Sequence, residues 1–261
     1  MMKLFYISFF VFSVLNTSAQ TCDFSAKSFK VGEDLEYGVG YALWGIWVKA
    51  GVVNFTVKDS LIEDNSYIHL YAYGRTLEKY DWMFKVRDTY ESLVDKQKLK
   101  PYYFHRDVSE GGDENEEYAY FDYDSLHAKS ANGKFDIQSC SYDVMTAIYY
   151  CRGIDWTSYQ MNDTVPLNLF LEDSTYQVYV RYLGKEVIDT KLGKFRTIKF
   201  APLLIEGTIF EEGEDMMVWV TDDDNKIPLR VTSPILIGEV RAEISNWKNI
   251  KNEISSILEE N

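Results

Sequence analysis

The sequence predicts a mainly β protein: an antiparallel meander rolled into a half-barrel or barrel-like sheet, a spiral β-roll, around one short packed helix. Three observations carry this. Apolar and polar side chains alternate with period two along most of the chain. Short polar turns, among them "SANGK", "LEDST", "LGK", "EEGED" and "DDDNK", separate the alternating runs. Only one internal stretch, "CSYDVMTAIYYCRGIDW" at 140–156, reads as helix. About a dozen strands with so little helix between them suit a curled antiparallel sheet.

The first element is not part of that sheet. In "MMKLFYISFFVFSVLNTSAQ", Lys3 supplies a positive start, Leu4 to Leu15 is an apolar run of twelve, and Thr17-Ser18-Ala19 offers a small-residue cleavage site. Residues 1–19 therefore read as a secretory signal. A membrane span needs roughly 20 apolar residues, so the run is too short to anchor the chain, and no later segment approaches that length. "SAQTC" lacks the small-residue box that would precede a lipidated Cys22. The expected mature protein is soluble and exported, with 20–247 as a single β-rich domain. The formal charge, −14 for the full chain and −15 once Lys3 is removed, argues against nucleic acid or anionic membrane surfaces as partners.

The strands follow in order. In "DLEYGVGYAL", Leu35, Tyr37, Val39, Tyr41 and Leu43 share one face. In "GIWVKAGVVNFTV" the apolar set Ile46, Val48, Ala50, Val52 changes phase to Val53, Phe55, Val57, which predicts a β-bulge beside Gly51. "SYIHLYAYG" sets Tyr67, His69, Tyr71 and Tyr73 against Ile68, Leu70 and Ala72, and "TYQVYVRYL" repeats the pattern with Tyr176, Val178, Val180 and Tyr182. Further strands are expected at 84–94, 101–107, 116–124, 194–204, 215–221, 227–233 and 235–246. Core packing and cross-strand pairing account for most of the 20 tyrosines and six tryptophans; an aromatic-lined groove for sugar or lipid is the functional alternative.

The helix is expected from Ser141 as N-cap to Arg152, with Asp143 and Arg152 complementing its dipole and Gly153 at C′. Val144, Ala147, Ile148 and Cys151 form its apolar stripe. Cys140 and Cys151 would then stand about 16 Å apart, too far for a disulfide. Cys151 is read as a buried free thiol. Cys140 is left for Cys22, a bridge worth about 4 kcal/mol in the chain-entropy model. After Trp247, "NIKNEISSILEEN" carries Ile250, Ile254, Ile257 and Leu258 at helical spacing, but with its charges against the dipole; 248–261 is expected to be an amphipathic helix or disordered.

No catalytic constellation stands out. His69, His105 and His127 fit no metal-binding spacing; G-x-S-x-G and the glycine-rich nucleotide patterns are absent. "GGDENEE" and "DDDNK" lack the glycine and distal glutamate of a calcium loop, and Asp222–Asn225 suit a hairpin turn. No catalytic residues, metal ligands or cofactor are assigned, and the ligand-binding residues are left open.

Four stretches, "FKVGEDLEYGV" with "WVKAG", "FKVRDTYESLVDKQKLKPYYFHR", the 140–156 segment and "WVTDDDNKIPLRV", together resemble the exported bacterial family known as domain of unknown function 3108. The resemblance runs from about Phe29 to Trp247. It implies a periplasmic or secreted protein of a Gram-negative bacterium, of Bacteroidetes type, with a rolled β-sheet, and it implies no activity. Cysteines near the mature N-terminus and before the helix agree with a Cys22–Cys140 bridge. The leading expectation is a non-enzymatic envelope protein holding an apolar or saccharide-like ligand in a curved aromatic-lined sheet. The alternatives are a carboxylate-dependent hydrolase of envelope polymers and a scaffold that docks an envelope protein partner.

Overall fold

The computed structural model describes residues 26–43, 46–205, 213–234 and 239–259. The expected leader 1–19 and Cys22 lie outside the described residues.

Eight antiparallel strands come first: β1 (Asp34–Leu43), β2 (Ile46–Ile62), β3 (Asn65–Thr76), β4 (Val86–Asp95), β5 (Pro101–Glu110), β6 (Asp113–Asp122), β7 (His127–Ser130) and β8 (Gly133–Asp136). A two-residue β9 (Ser141–Tyr142) leads into α1 (Val144–Gly153). The second half is β10 (Thr164–Leu171), β11 (Ser174–Thr190), β12 (Gly193–Pro202), β13 (Met217–Thr221), β14 (Pro228–Pro234), β15 (Glu239–Lys248) and β16 (Ile257–Glu259). All belong to one sheet, in the order β8-β7-β6-β5-β4-β3-β2-β1-β15-β14-β13-β12-β11-β10-β9, with β16 beside β12. β1 against β15 joins the two halves. The sheet curves without closing, so the rolled β class read from the sequence is the observed one. Its strands exceed the expected dozen because four of them, β7, β8, β9 and β16, are only two to four residues long. The predicted bulge is present: Val39 pairs with Gly51 and Gly40 with Lys49, leaving Ala50 extra.

The sheet wraps its apolar face around α1. Ile68, Leu70, Val94, Phe104, Ala119 and Phe121 from the first half pack with Met145, Tyr149 and Phe170. In the second half Trp156 stacks on Tyr182 and Phe200, over Val165, Leu167, Ile198 and Val220. Leu35, Tyr37, Phe195, Leu229 and Ile244 form a third cluster at the join.

Two local expectations are corrected. The N-cap is Asp143, not Ser141: Asp143 has extended backbone and its carboxylate accepts from the Thr146 amide at 2.9 Å, while Ser141 is spent on β9. Gly153 ends the helix as its last residue and Ile154 caps it. The buried face is Met145, Thr146, Tyr149 and Arg152, not the stripe Val144–Ala147–Ile148–Cys151. Arg152 can be inside because a carboxylate meets it there. Cys151 is a free thiol, half-buried, with burial pushing its pKa up to about 12.

Within the C-terminal segment the described residues, 249–259, form no helix. Residues after Lys248 run in bends to β16, which pairs Phe195 with Ile257. Ile250, Ile254 and Ile257 do find an apolar surface, the third cluster, while strand alternation turns Leu258 outward. The extended path wins because it frees backbone groups to bond elsewhere. Asn225 is fully buried in the β13–β14 turn, its amide donates to Asn252 O and Glu253 O, and the Asn252 amide donates back at 2.8 Å. The "DDDNK" turn is therefore a hairpin, as expected, and also the tail's anchor.

Candidate functional site

Arg106 and Glu117 face each other across β5 and β6. Both lie in the phase that sends Phe104, Ala119 and Phe121 into the core, so strand alternation forces two charged groups inward. β7 pairs only with Tyr120–Asp122 of β6. Beside the earlier part of β6 the β10–β11 turn takes the vacant place: Glu172 N donates to Glu117 Oε1 at 2.7 Å. Glu172 and Asp173 carry φ of 49° and 60°, the left-handed pair that a two-residue type I′ hairpin requires.

Between these elements lies a groove of about 440 Å³, within the span usual for ligand sites, roughly 300–1,000 Å³. Arg106, Glu116, Glu117, Tyr118, Asn132, Glu172 and Asp173 are among the residues that line it. The Arg106 side chain is 7% exposed; its Nη2 lies 2.9 Å from Glu172 Oε1 and 3.0 Å from Glu117 Oε2. Burial, opposed by the Arg106 charge, holds the Glu117 carboxyl above the usual carboxylate range. Asn132 donates to Asp173 Oδ2 at 2.7 Å. Two buried atoms of the groove have no partner, Arg106 Nε and Asp173 Oδ1, while Glu117 Oε2 is met only by the Arg106 guanidinium. The first is a donor and the second an acceptor.

Further along the inner face, burial and the neighbouring Glu110 carboxylate push Asp88 up to about 6. Its neighbour in sequence, Arg87, points to the other face and grips Asp81.

The tyrosines divide: Tyr37, Tyr142, Tyr149 and Tyr182 are buried within the apolar clusters of the concave side. Those of β3, β5 and β6 stand on the outer face. Tyr67 stacks on Tyr102 at 4.9 Å, Tyr102 meets Tyr120 at 6.0 Å, and Tyr103 meets Tyr120 at 4.8 Å. The irregularity that pairs Leu93 with Tyr103 and Val94 with Pro101 leaves Tyr102 extra, which is how both neighbours reach this face. Glu91 brings together two histidines that are far apart in sequence: His69 Nε2 is 2.8 Å and His105 Nδ1 3.1 Å from its carboxylate. His105 Nε2 is 3.1 Å from Glu116, a groove residue. Tyr118 and Glu116 thus connect groove and tyrosine face. His127 stands apart, beside Asp136. Among the described residues no three His, Cys, Asp or Glu side chains converge as metal ligands, and no helix is long and apolar enough to cross a membrane.

Of the cysteines singled out by sequence, Cys140 is buried just before the helix. Neither it nor Cys151 touches the groove. Sequence reasoning does not reach the groove residues, although a signal exists: Arg106 and Glu117 continue the phase that carries Phe104, Ala119 and Phe121 into the core.

A family model described as "Protein of unknown function (DUF3108)" matches residues 36–245. No curated protein matches the chain. Among solved structures, a β-barrel-like protein of domain of unknown function DUF1849 from Brucella abortus is 10% identical, with a TM-score of 0.56 over 86% of this chain and 100% of that one. A protein with a YmcC-like fold from Bacteroides fragilis is also 10% identical, with a TM-score of 0.37 over 85% and 97%. At such identities the Brucella likeness speaks to fold alone.

Proposed function

The chain belongs to the DUF3108 family, and on that premise we propose that it is a non-enzymatic, exported envelope protein that binds a saccharide-like ligand in the Arg106 groove. The observation that carries the reading is the pair of unpartnered buried atoms, Arg106 Nε and Asp173 Oδ1, in one groove. A sugar hydroxyl both donates and accepts, so neighbouring hydroxyls answer a free donor and a free acceptor together. Leaving such groups unpaired costs about 1–3 kcal/mol each, which a ligand of this chemistry would recover. The rim supports it further: Tyr118 offers an aromatic plane to a sugar face, and Tyr120 continues that surface. The groove's polar lining favours a saccharide over an apolar ligand. The leader-like 1–19 supports export to the periplasm or beyond.

The hydrolase alternative would rest on Glu117 and Glu172, but both are held by the same guanidinium. A carboxylate fixed on arginine is poorly placed to shuttle protons. A scaffold acting through the C-terminal stripe is disfavoured because those isoleucines pack within the molecule. A Cys22–Cys140 bridge belongs to the same proposal. Cys151 is free, and the segment that follows Cys22 arrives at the helix, where Phe29 meets Tyr149 at 4.8 Å. Non-reducing peptide maps should return the two cysteines in one fragment.

Calorimetric titration with neutral oligosaccharides (cellohexaose, chitohexaose and maltohexaose) tests the site. At least one should bind, and Arg106→Met or Asp173→Ala should weaken it ten-fold or more. Silence across the panel at millimolar concentration, or binding indifferent to both substitutions, would sink the reading.

A further inference from the structure

Trp82, Met83 and Phe84, in the connection between β3 and β4, are 81%, 63% and 53% exposed. Three consecutive large apolar side chains in water are unusual on a soluble surface. The backbone beneath them is firmly tied. Residues Glu78–Tyr80 make a 3-10 turn, and Tyr80 O accepts from Met83 and Phe84. Leu77 N donates to Ala50 O of β2, and Gly111 N of the β5–β6 turn donates to Lys85 O. Arg87 clamps Asp81 with both terminal nitrogens, at 3.1 and 2.6 Å. The Phe84 ring lies so close over Gly111 that a methyl group there would come within 2.4 Å of it. The apolar tip is thus displayed by a built support.

We propose that this tip seats the protein on a zwitterionic lipid bilayer, with Trp82 and Met83 entering the headgroup–acyl boundary and Lys79 and Lys85 reaching lipid phosphates. Tryptophan favours that boundary because its ring is apolar and its N–H polar, and lysines flanking such a tip extend their amines to the phosphates. A shallow insertion, about 5–10 Å, needs only a few apolar side chains. A stable protein interface needs roughly 800 Å² and 20–30 residues from each partner, far more than three projecting residues supply. Charge selects the kind of bilayer. With Asp81 neutralised by Arg87, Glu78, Lys79 and Lys85 leave the tip slightly cationic on a chain of −14. The adjoining β5–β6 turn carries Glu110, Asp113 and Glu114, which repel a densely anionic surface.

Flotation of the full chain with phosphatidylcholine–phosphatidylethanolamine vesicles tests this. The wild type should float, and the double variant Trp82→Ser/Met83→Ser should lose at least ten-fold in partition at unchanged thermal stability, since both side chains are mostly in water. Lys79→Ala/Lys85→Ala should lose less. Replacing a fifth of the lipid by phosphatidylglycerol should not raise binding more than two-fold. A wild type that stays below the vesicles, or a double variant that floats equally, would overturn the proposal. So would substitutions that change only the mass seen by light scattering, which would make the tip a protein contact.

Discussion

Two buried arginines occupy opposite situations in this molecule. Arg152, 2% exposed, closes the Glu33 carboxylate with two bonds of 2.6 and 2.9 Å, donates to Ser28 O and Asn225 O, and sits against the rings of Phe29 and Tyr149. It gathers helix, N-terminal segment and β13–β14 turn into one knot. Arg106 is almost as buried, yet it shares one nitrogen between two glutamates and leaves Nε without a partner. Burial of charge is therefore a poor guide to role. Saturation of its hydrogen bonds distinguishes a staple from a group set to receive something.

The widest gap between the two should appear on removing Arg152. Arg152→Met leaves Glu33 buried without a cation and should cost about 3–5 kcal/mol in urea unfolding; Glu33→Leu added to it should recover much of that loss. A cost under about 1 kcal/mol would erase the contrast. Asp143 is a saturated group of the other sign, accepting from Ser92 Oγ at 2.6 Å and from Thr146 N and Oγ1. Asp143→Ala should cost about 2 kcal/mol, from the lost cap and three abandoned donors, read in the same assay. Arg106→Met should cost less, about 1–2 kcal/mol, because Glu172 is half exposed and rehydrates, and Glu117 keeps the Glu172 amide as a donor at 2.7 Å. Its larger effect should fall on oligosaccharide binding.

The smallest effect concerns an unsaturated acid pair. Asp88 is raised to about 6 by burial and by Glu110. A raised carboxyl favours folding when protonated, so its contribution is full below about pH 4 and lost as pH rises through about 6. Asp88→Asn should therefore stabilise the protein at pH 7 by about 1 kcal/mol after allowance for solvent screening, and by nothing at pH 4. Equal effects at both pH values would place the repulsion elsewhere.

Much of the strand plan was legible because alternation is local: Ile68, Leu70 and Ala72 are inward as their phase requires, and the bulge beside Gly51 shows as a change of phase. The helix was legible in extent but not in orientation. Its stripe pointed to Val144 and Ile148, whereas the buried face follows Arg152 to a carboxylate 119 positions away in sequence. The groove was invisible for a similar reason. Glu172 and Asp173 read as an ordinary polar turn, and nothing local tells that the turn lands on β6. Nor does the helical spacing of Ile250, Ile254 and Ile257 reveal that Asn225 and β12 offer a better set of bonds.

The order of residues alone settled the periodicity, and with it a rolled antiparallel sheet around one helix, because side-chain direction in a strand depends only on neighbours. The fate of each inward charge was decided in three dimensions. A buried charge survives by finding partners, and for Arg152, Arg106 and the C-terminal tail those partners come from distant strands that only the closed-up chain brings within a hydrogen bond's reach.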